Sequence, residues 1–470
     1  MDIRRYKLMV LLMALVVAGT LSLTRTISAS GRDSVLDDQL TLVLSQHGFT
    51  GTVGSSLEQR LGRKIDNQLV DLGRNLFHDT IVGLNNDNSC SGCHSATAGF
   101  GDTQSIAIGV ENNFIVGPDR TGPRNQRRTP MAANTPFFPT LMWNSRFASL
   151  SFDPFDNSVG FTFPLPEGLT LSDKAHLLIA QAFIPPTERV EAAGFTFPGD
   201  TFDIRAEVIR RINDVPEYRK LFGKIFPEVK AGGPITYDMF ARAIAEFEFT
   251  LVFVNAPLDR FARGQQNALT DDQKRGALLF FGSANCVACH AVSGQSNEMF
   301  SDFREHVIGV PQIAPAAGNP AAGNVTFDGP GQNEDFGLEQ VTSNPNDRYM
   351  FRTSPIRNVA LQPAFFHNGA FTRLEDAIRF HLNPAGQATD YDPTAAGVAP
   401  DLRGPTGPIA PVLSRLDPLV ATPINLSNDE FRQLLDFVRN GLLDPKAKPE
   451  NLRKLIPRRV PSGRPIQTFQ

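Results

Sequence analysis

Residues 88–100 read "NSCSGCHSATAGF", with Cys90 and Cys93 two positions apart and His94 directly after them. The pattern returns at 284–292 as "ANCVACHAV", with Cys286, Cys289 and His290. These four are the only cysteines of the chain, so one explanation has to serve both copies. Two disulfides would normally tie distant segments, and two short pairs each closed by histidine do that badly. A four-cysteine zinc site leaves both histidines without a role. A redox dithiol has no use for a following histidine in two separate places. C-x-x-C-H is instead the attachment signature of c-type haem: each thiol joins a vinyl group, and the histidine is aimed at the iron. Two covalent c-type haems are therefore expected, on Cys90, Cys93, His94 and on Cys286, Cys289, His290.

The start of the chain agrees with that chemistry. "MDIRRYKLMVLLMALVVAGTLSLTRTISAS" places Arg4, Arg5 and Lys7 before an apolar run from Leu8 to Leu23, followed by small residues. This is the layout of a secretory signal over residues 1–29. The run is shorter than the roughly 20 apolar residues a spanning helix needs, so no membrane span is expected after cleavage. The expected location is periplasmic or otherwise extracytoplasmic, where haem of this type is attached. Removing residues 1–29 takes away four positive charges and one negative, which leaves the remainder near −7 from −4. With that acidic balance and no long basic run before the tail, nucleic acid is not an expected partner.

At 470 residues the chain is too long for one core, and its 41% hydrophobic and 20% charged fractions are those of a globular protein. Each haem motif follows an amphipathic helical pattern. In "DNQLVDLGRNLFHD" (66–79), Leu69, Leu72, Leu76 and Phe77 share a face. In "LTDDQKRGALLFFG" (269–282), Thr270 and Gln273 form a capping-box pattern, and Leu279 and Phe280 are expected to be buried. Between them, "FDIRAEVIRRI" and "TYDMFARAIAEFEFTLVFV" carry apolar residues at helical spacing. The fold class is mainly α: two cytochrome c-like haem domains with long Gly/Pro-rich loops and a helical linker region. The divisions are 36–260, with the linker, then 261–445, then a basic tail 446–470 read as solvated.

With these residues in hand, the chain resembles the bacterial dihaem cytochrome c peroxidase family, including the MauG-type enzymes. The resemblance rests on "LGRNLFHDTIVGLNNDNSCSGCHSATAGFGD" (72–102), "YDMFARAIAEFEFTLVFVNAPLDRFARG" (237–264) and "FRTSPIRNVALQPAFFHNGAFTRLEDAIRFH" (351–381). It implies a division of labour, with an N-terminal haem on His94 that reacts with peroxide and a C-terminal haem that passes electrons. The segment "AQAFIPPTERVEAAGF" (180–195) matches the family's distal loop, with Gln181, Pro185 and Glu191 at offsets of four and ten. The resemblance makes Glu191 the acid/base, Gln181 the hydrogen-bond donor and Pro185 the packing over the open face. Taken alone, a glutamate is ordinarily a solvated carboxylate, and Glu188 is the alternative. "LMWNSRFASL" (141–150) resembles the segment that sets a tryptophan between the haems, here Trp143, although most tryptophans are buried for packing alone.

Several positions depart from the family pattern. An extra stretch over 152–175 separates Trp143 from Gln181. His381 in "TRLEDAIRFHLNP" occupies the place of the family's Met or Tyr ligand, and two axial imidazoles lower an iron potential relative to His/Met. Met350 and Met299 are the alternatives. His367 is read as structural; His306 also matches a family position. No histidine lies between His94 and His176, so the loop ligand that gates many family members is missing and His94's haem is expected open. His176 is the residue that would spoil this. For inter-domain Ca²⁺, Gln362 and Ala364 match the carbonyl positions, but Arg128 stands at the Asn position, where a cation opposes the ion, so Ca²⁺ is doubtful.

The leading expectation is an exported peroxidase that reduces H2O2 to water, with electrons from a small cytochrome c or cupredoxin. The alternatives are a MauG-like oxidase acting on a protein or organic substrate, and a non-catalytic dihaem electron carrier.

Overall fold

The computed structural model describes residues 35–162, 171, 173–315 and 327–470. The signal segment 1–29 and residues 163–170 of the insertion lie outside the described residues. Among the described residues no helix is long and apolar enough to cross a membrane.

The two haem motifs are delivered by the same local device. The Asn67–His78 helix is started by Asp66, whose carboxylate accepts from Gln68 and Leu69 backbone N–H groups. It buries Leu69, Leu72, Leu76 and Phe77 and ends as Asp79 turns extended. The Asp271–Phe281 helix is started by the Thr270/Gln273 capping box. Phe280 is buried as expected, whereas Leu279 is only half-buried against the same core. Each helix carries a glycine where another helix crosses at backbone contact. A Cβ on Gly73 would stand 1.8 Å from the Ala243 carbonyl oxygen, and one on Gly276 would stand 2.1 Å from that of Gln433. The crossing partners are the Tyr237–Glu248 and Asn428–Asp436 helices.

The apolar pattern after Tyr237 suggested a longer helix than the one formed. The helix stops at Glu248, and residues 251–256 run without regular secondary structure. The β-branched and aromatic run there favours extended backbone. It is held from both halves: Phe253 N donates to Asn134 Oδ1, and Asn358 Nδ2 donates to the Phe253 carbonyl. Among the described residues, strands are limited to three two-residue pairs, in which Ile115–Val116 runs parallel to Thr468–Phe469, Thr140–Leu141 antiparallel to Phe147–Ala148, and Glu305–His306 antiparallel to Phe351–Arg352.

The cores do not follow the order of the chain. The helix over 35–46 places Leu40 and Leu44, with Phe49 just beyond it, among Leu258, Phe280, Phe300 and Phe437 around the second motif. Ala447 and Leu452 from the other end join the core of the first. The tail expected to be solvated is therefore docked. Ser462 Oγ donates to Asp79 at 2.7 Å, Val460 is buried, and Gln467 Nε2 bonds the Asp87 carbonyl and Asn88 Oδ1. Its Lys and Arg side chains stay at or near the surface while Ala447, Leu452, Val460 and Gln467 turn inward, which composition alone hides.

Candidate haem sites

Around the second motif lies a cavity of about 230 Å³ lined by Cys286, Cys289 and His290 on one side and His381 on another. His290 Nδ1 meets the Phe300 carbonyl at 2.9 Å and His381 Nδ1 meets that of Ala377 at 2.7 Å, which leaves each Nε2 for the cavity. The ring centroids are 6.1 Å apart. With metal–nitrogen bonds of about 2.0–2.1 Å and ring centres roughly 1.1 Å behind each nitrogen, one shared iron calls for about 6.3 Å. The residues therefore fit a haem with two axial imidazoles. Neither Met299, buried in the first core, nor Met350, packed beside Tyr349, lines this cavity.

The walls also answer the acidic groups of a porphyrin. Arg352 is buried there, and burial pulls its guanidinium down to about 10. His367 stacks flat on Phe351, 3.6 Å between centroids, and its buried Nε2 has no protein partner. That nitrogen belongs to a cavity-lining residue, as a group reserved for a ligand would. His306 lies between Asp302 and Asp417 at 3.0 and 2.6 Å. The Asp302 contact first, and then Asp417, lift its imidazole above its ordinary value against burial. Cys289, Asp302 and His306 also lie within 4.8 Å of one another, but a thioether at Cys289 removes the thiolate a metal would need.

At the first motif, Cys90–Cys93 forms one helical turn and His94 Nδ1 faces the Phe100 carbonyl at 3.2 Å. Burial lowers His94 and His290 to about 4 each, so both stay neutral, as an iron ligand must. The expected distal loop is laid directly against this turn. Asn88 Nδ2 donates to the Glu191 carbonyl at 2.8 Å, and Val110 N donates to that of Val190. Gly109 permits the approach, since a Cβ there would stand 1.9 Å from the Val190 oxygen.

Gln181 ends the Leu177–Gln181 helix, Pro185 opens a 3-10 turn, and Glu191 sits in the wide turn Arg189–Ala193; all three are half-buried. Burial, then the charge of Glu188, raises the Glu191 carboxyl to about 7, with Arg146 opposing. Glu191 is close enough that its charge raises both Cys90 and Cys93. Glu188 is held by Arg146 at 3.0 Å instead. His176 is fully buried: Nε2 meets the Pro136 carbonyl, Nδ1 accepts from Leu178 N, and Phe155 and Phe249 flank the ring edge-on. It is held away from any ligand role. Trp143 is buried, donates from Nε1 to the Arg128 carbonyl at 2.8 Å, and lines the second cavity.

One residue was missed. Glu248 is buried beside Cys90, its Oε2 has no protein partner, and burial pushes its carboxyl up to about 8. The signal was a second acid inside the mostly buried apolar run "EFEFTLVF", in which Glu246 is paired with Arg63.

Residues 67–267 match the model of the di-haem cytochrome c peroxidase family. The chain is 27% identical over 317 residues to the cytochrome c551 peroxidase of Pseudomonas aeruginosa, covering 67% of this chain and 72% of that protein. It is 24% identical to the methylamine utilization protein MauG of Methylophilus methylotrophus, covering 71% and 77%. Its fold is similar to that of a MauG-like protein associated with microbial copper homeostasis, with TM-score 0.56, 22% identity and coverage of 82% and 91%. It is also similar to the diheme peroxidase BthA of Burkholderia thailandensis, with TM-score 0.52, 20% identity and coverage of 82% and 88%.

Proposed function

We propose, for a chain that belongs to the di-haem cytochrome c peroxidase and MauG family, that it reduces H2O2 to water at the His94 haem with electrons relayed through the haem of His290 and His381. The protein is an oxidoreductase with two c-type haems. The observation that carries the finer reading is the asymmetry of the two sites. His381 stands one iron's spacing from His290, while the histidine nearest the distal loop, His176, is locked by two hydrogen bonds.

A c-type haem with an open position supplies peroxide cleavage, and one with two imidazoles supplies one-electron transfer. The chain's residues handle protons and access. Glu191, poised near neutral pH, takes a proton from the arriving H2O2 and returns it to the departing oxygen. Gln181 holds the peroxide by hydrogen bonding, and Pro185 keeps water from the face. Two protons and two electrons convert one H2O2 into two H2O, with the electrons drawn from a small cytochrome c or cupredoxin. Trp143, which lines the second cavity, is the relay between the sites in this reading. In this reading each haem unit includes the chain end that packs on it, residues 40–49 with the second core and Ala447 and Leu452 with the first. An exported, periplasmic enzyme agrees with the leader and with the chemistry of attachment.

His381 also favours a second reading, a MauG-like oxidase, because two imidazoles favour oxidised iron at the electron-transfer site. The experiment is the ferric absorption and EPR spectrum, followed by H2O2-driven oxidation of a reduced small cytochrome c. One high-spin and one low-spin haem with rapid donor oxidation support the peroxidase. The same spectrum, with peroxide consumed but the donor untouched, supports the oxidase. Two low-spin haems inert to peroxide refute both readings and leave an electron carrier.

A further inference from the structure

The joint between the two haem segments has a guanidinium at its centre. Arg128 is buried, 3% exposed. Its Nη1 donates to the Gln104 carbonyl at 3.1 Å, and its Nη2 to the Asp102 carbonyl at 3.3 Å and to Gln362 Oε1 at 2.8 Å. Gln362 is itself pinned, donating from Nε2 to the Ala98 carbonyl at 2.6 Å. The Arg128 backbone continues the joint: its N–H donates to the His367 carbonyl at 2.8 Å, and its carbonyl receives Trp143 Nε1. One residue thus binds the loop after His94, the wall of the second cavity, and the tryptophan beside it.

The oxygens around this guanidinium, two carbonyls and the Gln362 amide oxygen, are hard donors of the kind Ca²⁺ selects, at the position where the family resemblance implies the ion's Asn ligand. The ion needs six to eight of them at about 2.3–2.6 Å. In this chain the guanidinium already faces three of those oxygens, and the Asp102 carboxylate is spent on Gln104 N and Thr129 N. A divalent ion would have to displace a buried cation from its own partners, against direct charge repulsion. The residues do not fit calcium.

We infer that the Arg128 guanidinium is the chain's own inter-domain cation, replacing Ca²⁺ and acting as a positioning residue for Trp143 and the second haem pocket. A side-chain cation needs no metal supply. Arg128 also lines the second cavity, so its positive charge favours the reduced state of the haem there. The inference is independent of whether the substrate is peroxide alone or a further organic molecule.

The test uses the full haem-loaded protein. Wild type is stripped with EGTA and titrated calorimetrically with CaCl2 to millimolar concentration, while Tm and the midpoint potential of the second haem are followed. No binding heat and no change in either property are expected. Stoichiometric Ca²⁺ binding, or loss of Tm on chelation, overturns the inference without any variant. Arg128→Asn is expected to lower both Tm and midpoint in EGTA, with Ca²⁺ restoring them because the asparagine adds an oxygen where the cation stood. Arg128→Lys, which keeps the charge, is expected to hold the midpoint near wild type. An Asn variant with unchanged midpoint, or one that folds but that Ca²⁺ does not restore, also overturns it. If the Asn variant does not fold, the wild-type titration decides.

Discussion

The pH dependence of the peroxide reaction should follow Glu191 and respond to residues that never touch the substrate. Its carboxyl is raised to about 7 by burial first and by Glu188 second, while Arg146 opposes. Arg146 is also the ion-pair partner that holds Glu188 at 3.0 Å. At pH 6 only about a tenth of Glu191 would be ionised, and at pH 8 about nine-tenths, so the rate of the ferric protein with H2O2 should rise roughly tenfold per pH unit below the midpoint. Glu191→Gln should slow that step by about 10²–10⁴-fold, the usual worth of a positioned acid/base, and flatten the profile. Glu188→Gln should move the midpoint toward acid, and Arg146→Gln should move it toward base. Stability supplies a second readout. A carboxyl raised in the folded state contributes stability that is full below its unfolded value near 4.5 and is lost as pH rises through about 7. Glu191→Gln should therefore gain Tm relative to wild type above pH 7 while losing activity. Stopped-flow absorbance from pH 5 to 9, with melting curves in the same buffers, checks both. A profile whose midpoint survives in Glu191→Gln would falsify the assignment.

Other perturbations separate the two halves. His306→Gln should cost about 2 kcal/mol by leaving Asp302 and Asp417 facing a neutral group. Because Asp302 first, and then Asp417, raise the imidazole above its ordinary 6.5, its contribution is full below pH 6.5 and fades as pH rises through the folded-state value. The Tm gap between variant and wild type should therefore be larger at pH 6 than at pH 9, and an equal gap would contradict the ion-pair account. Gly73→Ala forces a Cβ to within 1.8 Å of the Ala243 carbonyl, and should lower stability by about 3 kcal/mol in urea unfolding. Truncation after Ile456 removes the Ser462–Asp79 and Gln467–Asn88 bonds and buried Val460. At about 1 kcal/mol per hydrogen bond and 1.5–2 for the valine, the loss is about 4 kcal/mol. It should change the spectrum of the His94 haem and leave that of the His290 haem intact.

Covalent chemistry was legible in the residues alone. Two C-x-x-C-H motifs using every cysteine leave little else for the chain to be, because the thioether spacing and the following ligand are local properties of one helical turn. The helices before them were equally plain, since capping residues and a 3.6-residue apolar period act within a few positions. The glycines at 73 and 276 sit inside those two helical patterns, but their reason, backbone contact with a distant helix, is tertiary.

What only the fold decided is long-range. That residues 35–49 complete the second core, and 446–470 close over the first motif, follows from which apolar faces find each other, and no local pattern encodes that. The neutralising of His176 required Pro136 and two aromatic rings brought from elsewhere. The raised carboxyls of Glu191 and Glu248 arise from burial, a property of surroundings and not of the residue. The sequence by itself determined the two c-type haems and pointed to the residues proposed to hold them. The tertiary structure decided which histidine faces His290, which carboxylate stays unpaired, and that a guanidinium joins the two halves, because each depends on distances between segments far apart along the chain.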